Sequence, residues 1–248
     1  MNKNIVISNS KGGAGKSTVS AFLAMISSNS GLKTIMIDSG WQRHSTKVFL
    51  HDEQISKNLL DGLKNKKILK ECVYTINEKL DIIPATINMN NFSDEFSNIT
   101  GDKKNLIFKT VLDPTLSNYD ICVFDTESSL GALTRNALVL ADIIIIPIRD
   151  GDCIVEAEKL LQTIDDMQQL YPNHMFVSKI FIFPVIKPFL SRDYNQILNE
   201  AKRTLKHDFL MPVKYHSALY TSNSKKAFNR EGKAYKDYEK SLQGAWII

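Results

Sequence analysis

Residues 8 to 18 read SNSKGGAGKST, a run in which residue type and spacing carry a definite chemistry. Gly12, Gly13 and Gly15 let the backbone turn tightly, so that the N–H groups from Gly12 through Ala14 to Lys16 can curl around phosphate oxygens. Lys16, Ser17 and Thr18 follow where a helix can begin, and the positive end of that helix adds to the attraction. Lys16 would bridge the two outer phosphates and Ser17 would offer its hydroxyl to Mg²⁺. A glycine turn that binds nothing has no need of Gly-Lys-Ser at this point. Two features depart from the ordinary GxxxxGK[ST] phosphate loop. Ser10 stands where the pattern opens with glycine, and a second lysine, Lys11, lies inside the loop.

Such a loop works only if a strand delivers it and a helix receives it. NIVIS at 4–8 is the strand; Val19, Phe22, Leu23 and Ile26 repeat at i, i+3, i+4 and i+7 behind the loop, and Gly31 is placed to end that helix. Five more short apolar runs follow: KTIMID at 33–38, LDIIPA at 80–85, DICVFD at 120–125, DIIIIPI at 142–148 and KIFIFPV at 179–185. Their near-continuous Val/Ile/Phe content suits parallel strands covered on both faces. The first four of the six runs end near polar or turn residues, the edge at which an α/β sheet places its ligands. Helical repeats run through Ile154, Ala157, Leu161 and Ile164, and again through Tyr194, Ile197, Leu198, Ala201 and Leu205. The alternation predicts an α/β fold, a doubly wound and mostly parallel sheet with helices on both faces. The Asn-rich stretch at 88–98 reads as a loop or short helix. Residues 1–248 read as one domain whose C-terminal part, 191–248, is basic.

Composition narrows the function classes. With 43% hydrophobic and 23% charged residues, 248 residues can bury a full core. Ile5 to Ile7 is far too short for a signal-peptide core, and the apolar stretch Ala137 to Ile148 is broken by Asp142 and too short to span a bilayer, so a cytoplasmic protein is expected. Cys72, Cys122 and Cys153 form no CxxC pair and the five histidines lack metal-ligand spacing, so neither a metal cage nor a redox pair is expected. The formal net charge of +4 hides an asymmetry: residues 1–190 hold 20 Lys/Arg against 21 Asp/Glu, and 191–248 hold 11 against 6.

The octet Lys-Gly-Gly-Ala-Gly-Lys-Ser-Thr at 11–18 resembles the deviant Walker A box of the ParA/MinD family of dimeric ATPases. The resemblance extends to YDICVFDTESSLGALTRNALVLADIIIIPI and, less specifically, to LDIIPA and the C-terminal MPVKYHSALYTSNSKKAFNREGKAY. Without room for the N-terminal helix-turn-helix of longer members, the chain is most similar to the short, plasmid-type branch. The resemblance implies ATP and Mg²⁺ as cofactors, a P-loop site at 11–18, and Asp125 at the Mg²⁺-organising position with Ser17. It implies that Lys11 reaches the partner's nucleotide, making dimerisation ATP-dependent. The family's second box usually reads Asp-x-Asp-Pro-Gln; here DSGWQ at 38–42 keeps Asp38 and Gln42, but Gly40 replaces the water-orienting aspartate and Trp41 the proline. Slow hydrolysis is therefore expected, with Asp38 in the Mg²⁺ shell. Glu127, beside Ser128 where the family commonly has a Pro-Pro pair, is the nearby carboxylate available as a substitute; a solvated helix-start carboxylate is the competing role.

The partners implied are a second copy of the chain, nucleoid DNA bound without sequence preference, and a centromere-binding, ParB-like protein. Non-specific DNA binding draws its affinity from phosphate neutralisation. At helical spacing Arg192, Lys202, Arg203 and Lys206 fall within an arc of roughly 100°, and Lys225, Lys226, Arg230, Lys233 and Lys236 form a second cluster. A merely solvated basic face is the competing reading. A MinD-like membrane cycle would need a basic amphipathic C-terminal helix. Tyr235, Tyr238, Leu242 and Trp246 make a narrow apolar stripe, but Asp237 and Glu239 offset Lys236 and Lys240, so packing of that stripe on the domain is favoured. A cargo-positioning or conjugative-transfer relative would use the same cycle with another partner, and a small-molecule kinase or ligase would need a second substrate pocket that the sequence does not display.

Overall fold

Three consecutive apolar residues, Ile5, Val6 and Ile7, have no solvent exposure at all because strand β1 (Lys3–Ile7) lies in the middle of a mostly parallel sheet. The computed structural model describes residues 2–51, 55–186, 191–214 and 228–243, with the backbone alone at 186 and 191–194. The chain continues through α1 (Lys16–Asn29), β2 (Thr34–Asp38), α2 (His44–Phe49), α3 (Leu59–Lys64), β3 (Tyr74–Asn77) and β4 (Leu80–Ile83). It returns through α4 (Phe92–Glu95), α5 (Ile107–Leu116), β5 (Ile121–Asp125), α6 (Ala132–Leu140), β6 (Ile143–Ile148) and α7 (Gly151–Leu170). The described part closes with β7 (Lys179–Ile186), α8 (Ser191–Thr204), β8 (Asp208–Phe209), β9 (Val213–Lys214) and α9 (Lys233–Gln243).

The sheet runs β3-β4-β2-β5-β1-β6-β7-β8, with β9 also pairing β7, and every pair is parallel except β3 with β4. All six strands read from the apolar runs are present. The additional β3 escapes an apolar-run search because it alternates half-buried and exposed residues at the sheet edge. The Asn-rich stretch forms a 3₁₀ turn at Ile87–Asn91 followed by α4.

The pleat divides each central strand between two cores. Ile5, Ile7, Val123, Ile143 and Ile145 pack with α1 and α9; Val6, Phe124, Ile144 and Ile146 pack with α3, α5, α6, α7 and α8. Each such side chain taken fully out of water contributes about 1.5–3 kcal/mol, which is why these strands carry runs of consecutive apolar residues rather than alternating ones. On the α1 side, Tyr238 of α9 stacks on Phe22 of α1 with ring centroids 4.1 Å apart and meets Phe183 of β7 edge-on at 5.7 Å. Tyr235, Tyr238 and Leu242 are thereby buried, so the described part of the C-terminal apolar stripe is used in packing; Trp246 lies outside the described residues. On the other side, Pro114 inside α5 cannot donate to the carbonyl of Thr110, and the Lys66 ammonium bonds that oxygen at 3.0 Å instead.

The order matters for the site. From β1 the chain steps outward to β2 and β4, comes back to insert β5 between β2 and β1, and then crosses β1 to β6. The loops leaving the carboxyl ends of β1, β2 and β5 consequently meet at one crevice, where an open α/β sheet binds its ligand.

Candidate functional site

The loop from Ser8 to Gly15 is shaped by two left-handed glycines, Gly13 (φ +76°) and Gly15 (φ +103°), conformations that side-chain-bearing residues rarely adopt. Gly15 caps α1, so the helix's leading N–H groups face the crevice. Asn9 anchors the loop: its Oδ1 accepts from Lys11 N at 2.9 Å, and its Nδ2 donates to the carbonyls of Pro147 and Cys153 at 2.9 and 3.1 Å. Ser10, the departure from glycine, donates to Glu156 Oε2 at 2.6 Å and so ties the loop to α7. Lys16 is 6% exposed, and its ammonium donates to Ser128 Oγ at 2.7 Å and to the Lys11 carbonyl at 3.3 Å. Burial pushes its pKa down, and Asp125 acts in the opposite direction.

Asp38 ends β2 and Asp125 ends β5, and the two are register partners on adjacent strands. Asp38 Oδ2 accepts from both N and Oγ1 of Thr46 at 2.8 Å, and its Oδ1 accepts from Gly40 N at 3.0 Å. Asp125 accepts from Ser45 Oγ at 2.6 Å and also bonds the Ser17 hydroxyl. Both carboxylates are raised, Asp38 to about 7, by burial first and, for Asp38, by the neighbouring charge of Asp125. Two buried carboxylates and the Ser17 hydroxyl form a hard oxygen set that a divalent cation would relieve of its repulsion. Among the described residues no three His, Cys, Asp or Glu side chains cluster as a protein-only cage. That suits Mg²⁺, which takes one or two carboxylates and fills its remaining positions with phosphate and water.

These groups line a cavity of about 340 Å³ together with Gly40, Arg43, Glu127 and Ser128. The Gly40 backbone is not left-handed, and a Cβ there would meet Asp38 Oδ1 at 3.5 Å and the Cα of Glu127 at 3.9 Å, ordinary contacts. The missing carboxylate thus reflects residue choice rather than lack of space. Glu127 Oε1 accepts from Ser129 Oγ at 2.6 Å. Arg43, just ahead of α2, has φ +60°, the one positive φ outside glycine among the described residues, at a cost of about 1–2 kcal/mol. Lys11 does not line its own cavity. Its ammonium lies 2.6 Å from Asp152 Oδ2 at the start of α7, both side chains exposed, and Asp152 holds the Lys11 pKa up.

The structure therefore gathers Gly12, Gly13, Gly15, Lys16, Ser17, Thr18, Asp38, Asp125 and Glu127 around the cavity, leaves Lys11 outside it, and buries the Ala14 methyl in the core instead. Sequence pattern does not single out Arg43, Ser45 and Thr46, for which a polar cluster at 43–46 directly after DSGWQ is the available signal, nor Ser20, whose hydroxyl lies 3.4 Å from Asp125 Oδ1, and it shows Ser128 only as a departure from the family pair. Of the basic residues, Lys202, Arg203 and Lys206 are exposed on or just beyond α8. The side chain of Arg192, and Lys225 and Lys226 entirely, fall outside the described residues. Arg230 donates to the carbonyl of Asn29 at the end of α1 at 3.0 Å, Lys233 is exposed, and Lys236 pairs with Glu231 at 2.8 Å. The described members of the two clusters belong to different layers, since α8 packs on one sheet face and α9 on the other.

A family model described as an AAA domain (AAA_31) matches residues 2–177. The sporulation initiation inhibitor protein Soj of Bacillus subtilis is 28% identical over 185 residues, 73% of this chain and 71% of that one. The chromosome partitioning protein ParA of Myxococcus xanthus is 29% identical over 168 residues, 66% of this chain and 59% of the relative, so the match spans about three-fifths of that protein. A crystal structure of a plasmid partition protein from Borrelia burgdorferi B31 bound to AMPPNP superposes with a TM-score of 0.79 at 26% identity, covering 100% of this chain and 99% of that one.

Proposed function

Because the chain belongs to the ParA/MinD family of deviant Walker A ATPases, we propose that it is a cytoplasmic, nucleoid-associated DNA-partition ATPase. ATP with Mg²⁺ drives two copies together, the dimer holds double-stranded DNA without sequence preference, and a centromere-binding, ParB-like partner triggers release. The observation that carries the nucleotide half is the buried set at the carboxyl ends of β1, β2 and β5, with the Lys16 ammonium over the loop and Ser17 bonded to Asp125. Gly12 to Lys16 present backbone N–H groups to the phosphates, and Lys16 supplies a charge-assisted contact to the outer two. Ser17, Asp38 and Asp125 would hold Mg²⁺, which would supply neutralisation of phosphate charge. The AMPPNP in the Borrelia protein supports the same ligand class here.

Lys11 acts across the dimer. Its position outside its own cavity supports this, because the exposed pair with Asp152 is of a weak, salt-screened kind that a partner's phosphate can replace. With Gly40 unable to orient water, hydrolysis is slow and Glu127 is the candidate substitute. The membrane-cycling alternative has less support, because Tyr235, Tyr238 and Leu242, the apolar stripe such a helix would turn to lipid, are buried against the domain.

Light scattering in MgATP tests the cycle. The parent should dimerise, Lys16→Ala should lose nucleotide binding, and Lys11→Ala should bind ATP yet stay monomeric. A Lys11→Ala protein that dimerises like the parent would falsify the cross-subunit role.

A further inference from the structure

The turn between β2 and α2 forces a left-handed residue at position 43. Arg43 N donates to the Gly40 carbonyl at 2.9 Å, and the Arg43 carbonyl accepts from Lys47 N at 3.0 Å. Immediately beyond, Ser45 and Thr46 hold Asp125 and Asp38 by their hydroxyls, so the turn cannot relax without releasing both carboxylates. Glycine would take φ +60° freely, yet the position carries a long cationic side chain. Strain kept at a site that its surroundings fix points to a use for the side chain.

Arg43 lines the cavity, with its Nε buried, and Lys16 and Arg43 are the only Lys or Arg residues lining it among the described residues, beside His44. Three carboxylates, Asp38, Asp125 and Glu127, line it as well. Adding a triphosphate to three carboxylates leaves an excess of negative charge even against Lys16, one divalent cation and a Lys11 supplied by the second copy. Phosphoryl transfer gains most from fixed cations placed where charge spreads over the equatorial oxygens of the terminal phosphoryl group. A guanidinium suits this role because it stays charged and presents paired N–H donors to two phosphate oxygens.

We infer that Arg43 is a catalytic cation supplied in cis, its guanidinium contacting the terminal phosphate of the bound nucleoside triphosphate. This rests on the ATPase reading. It adds a residue to that reading: Lys16 holds the bridging region, Arg43 the terminal oxygens, and Glu127 the water side of the same cavity.

Arg43→Gly separates the catalytic role from a structural one, because the two predict opposite signs. Relieving the strained φ should leave the melting temperature unchanged or higher, while turnover falls about 100-fold. Affinity for ATP should weaken roughly tenfold with ADP affinity unchanged, since only ATP offers the terminal phosphate. Arg43→Lys keeps a charge but loses the paired donors and should fall between the two, and added guanidinium ion should restore part of the turnover of Arg43→Gly. The inference is overturned if Arg43→Gly keeps turnover within about threefold of the parent together with the parent's preference for ATP over ADP. It is also overturned if both nucleotides are lost equally along with thermal stability. A parent that binds neither nucleotide would remove the ATPase reading itself, an outcome distinct from either.

Discussion

Gly40 and Glu127 lie close together in one small space, and Gly40 stands where the family resemblance leads one to expect a water-orienting aspartate. Water attack on a phosphoryl group needs a residue that orients the water, and losing it slows turnover while binding survives. A Cβ at Gly40 meets only ordinary contacts, so Gly40→Asp can be accommodated, and it should raise phosphate release about 10- to 100-fold. Glu127→Gln should lower the parent's turnover by a similar factor, provided Glu127 swings away from Ser129, which now takes its Oε1. Brisk parental turnover indifferent to Glu127→Gln would remove both the slow-enzyme expectation and the substitute carboxylate. The residues that the sequence displays plainly are those whose expected work is local: Gly12 to Lys16 would offer consecutive backbone N–H groups, with the Lys16 and Ser17 side chains next to them in the chain. Ser45, Thr46 and Arg43 are not displayed, because their significance lies in hydrogen bonds to carboxylates at the ends of two different strands and in a cavity wall that exists only after β2 and β5 pair. Their sequence, RHST, is chemically indistinguishable from a solvated turn.

At the scale of elements, α9 behaves as part of the core. Tyr238 is fully buried, stacked on Phe22 and edge-on to Phe183, while Tyr235 OH accepts from Asn29 Nδ2 at 2.8 Å. Tyr238→Ala should cost about 3–5 kcal/mol in denaturant unfolding, as for other large aromatic truncations. The parent should not float with anionic liposomes in MgATP. A near-neutral Tyr238→Ala accompanied by ATP-dependent flotation would instead mean that α9 detaches and serves a membrane. The six apolar strands and the helices behind them are legible in the sequence because burial on both faces makes composition alone diagnostic. The edges are not: β3 is half exposed, and β8 and β9 are two residues each, too short for any periodicity. The order β3-β4-β2-β5-β1-β6-β7-β8 lies beyond local pattern, since nothing in DICVFD states that it inserts between β1 and β2.

For the whole molecule, the charge asymmetry of the sequence divides in space. Lys202, Arg203 and Lys206 lie on the α8 layer, whereas Arg230 and Lys233 lie on the α9 layer, with Arg230 already bonded to the end of α1. A rigid duplex lying on one layer leaves the other set with little to touch, so the two sets should contribute unequally. The α8 set is the freer one and should carry most of the phosphate contacts. ATP-driven dimerisation would present it twice, raising affinity for arbitrary duplex DNA and steepening the fall of log affinity with log salt by roughly 0.9 per phosphate neutralised. Neutralising Lys202, Arg203 and Lys206 singly should each flatten that slope by roughly one unit for every phosphate the dimer no longer neutralises. Arg230→Ala should change stability more than slope, because it removes a hydrogen bond to the α1 carbonyl end. A salt titration of duplex binding with and without ATP measures these effects. Slopes unchanged across the α8 variants, or a strong preference for one DNA sequence, would remove the DNA assignment and leave an ATP-driven dimer with a different cargo.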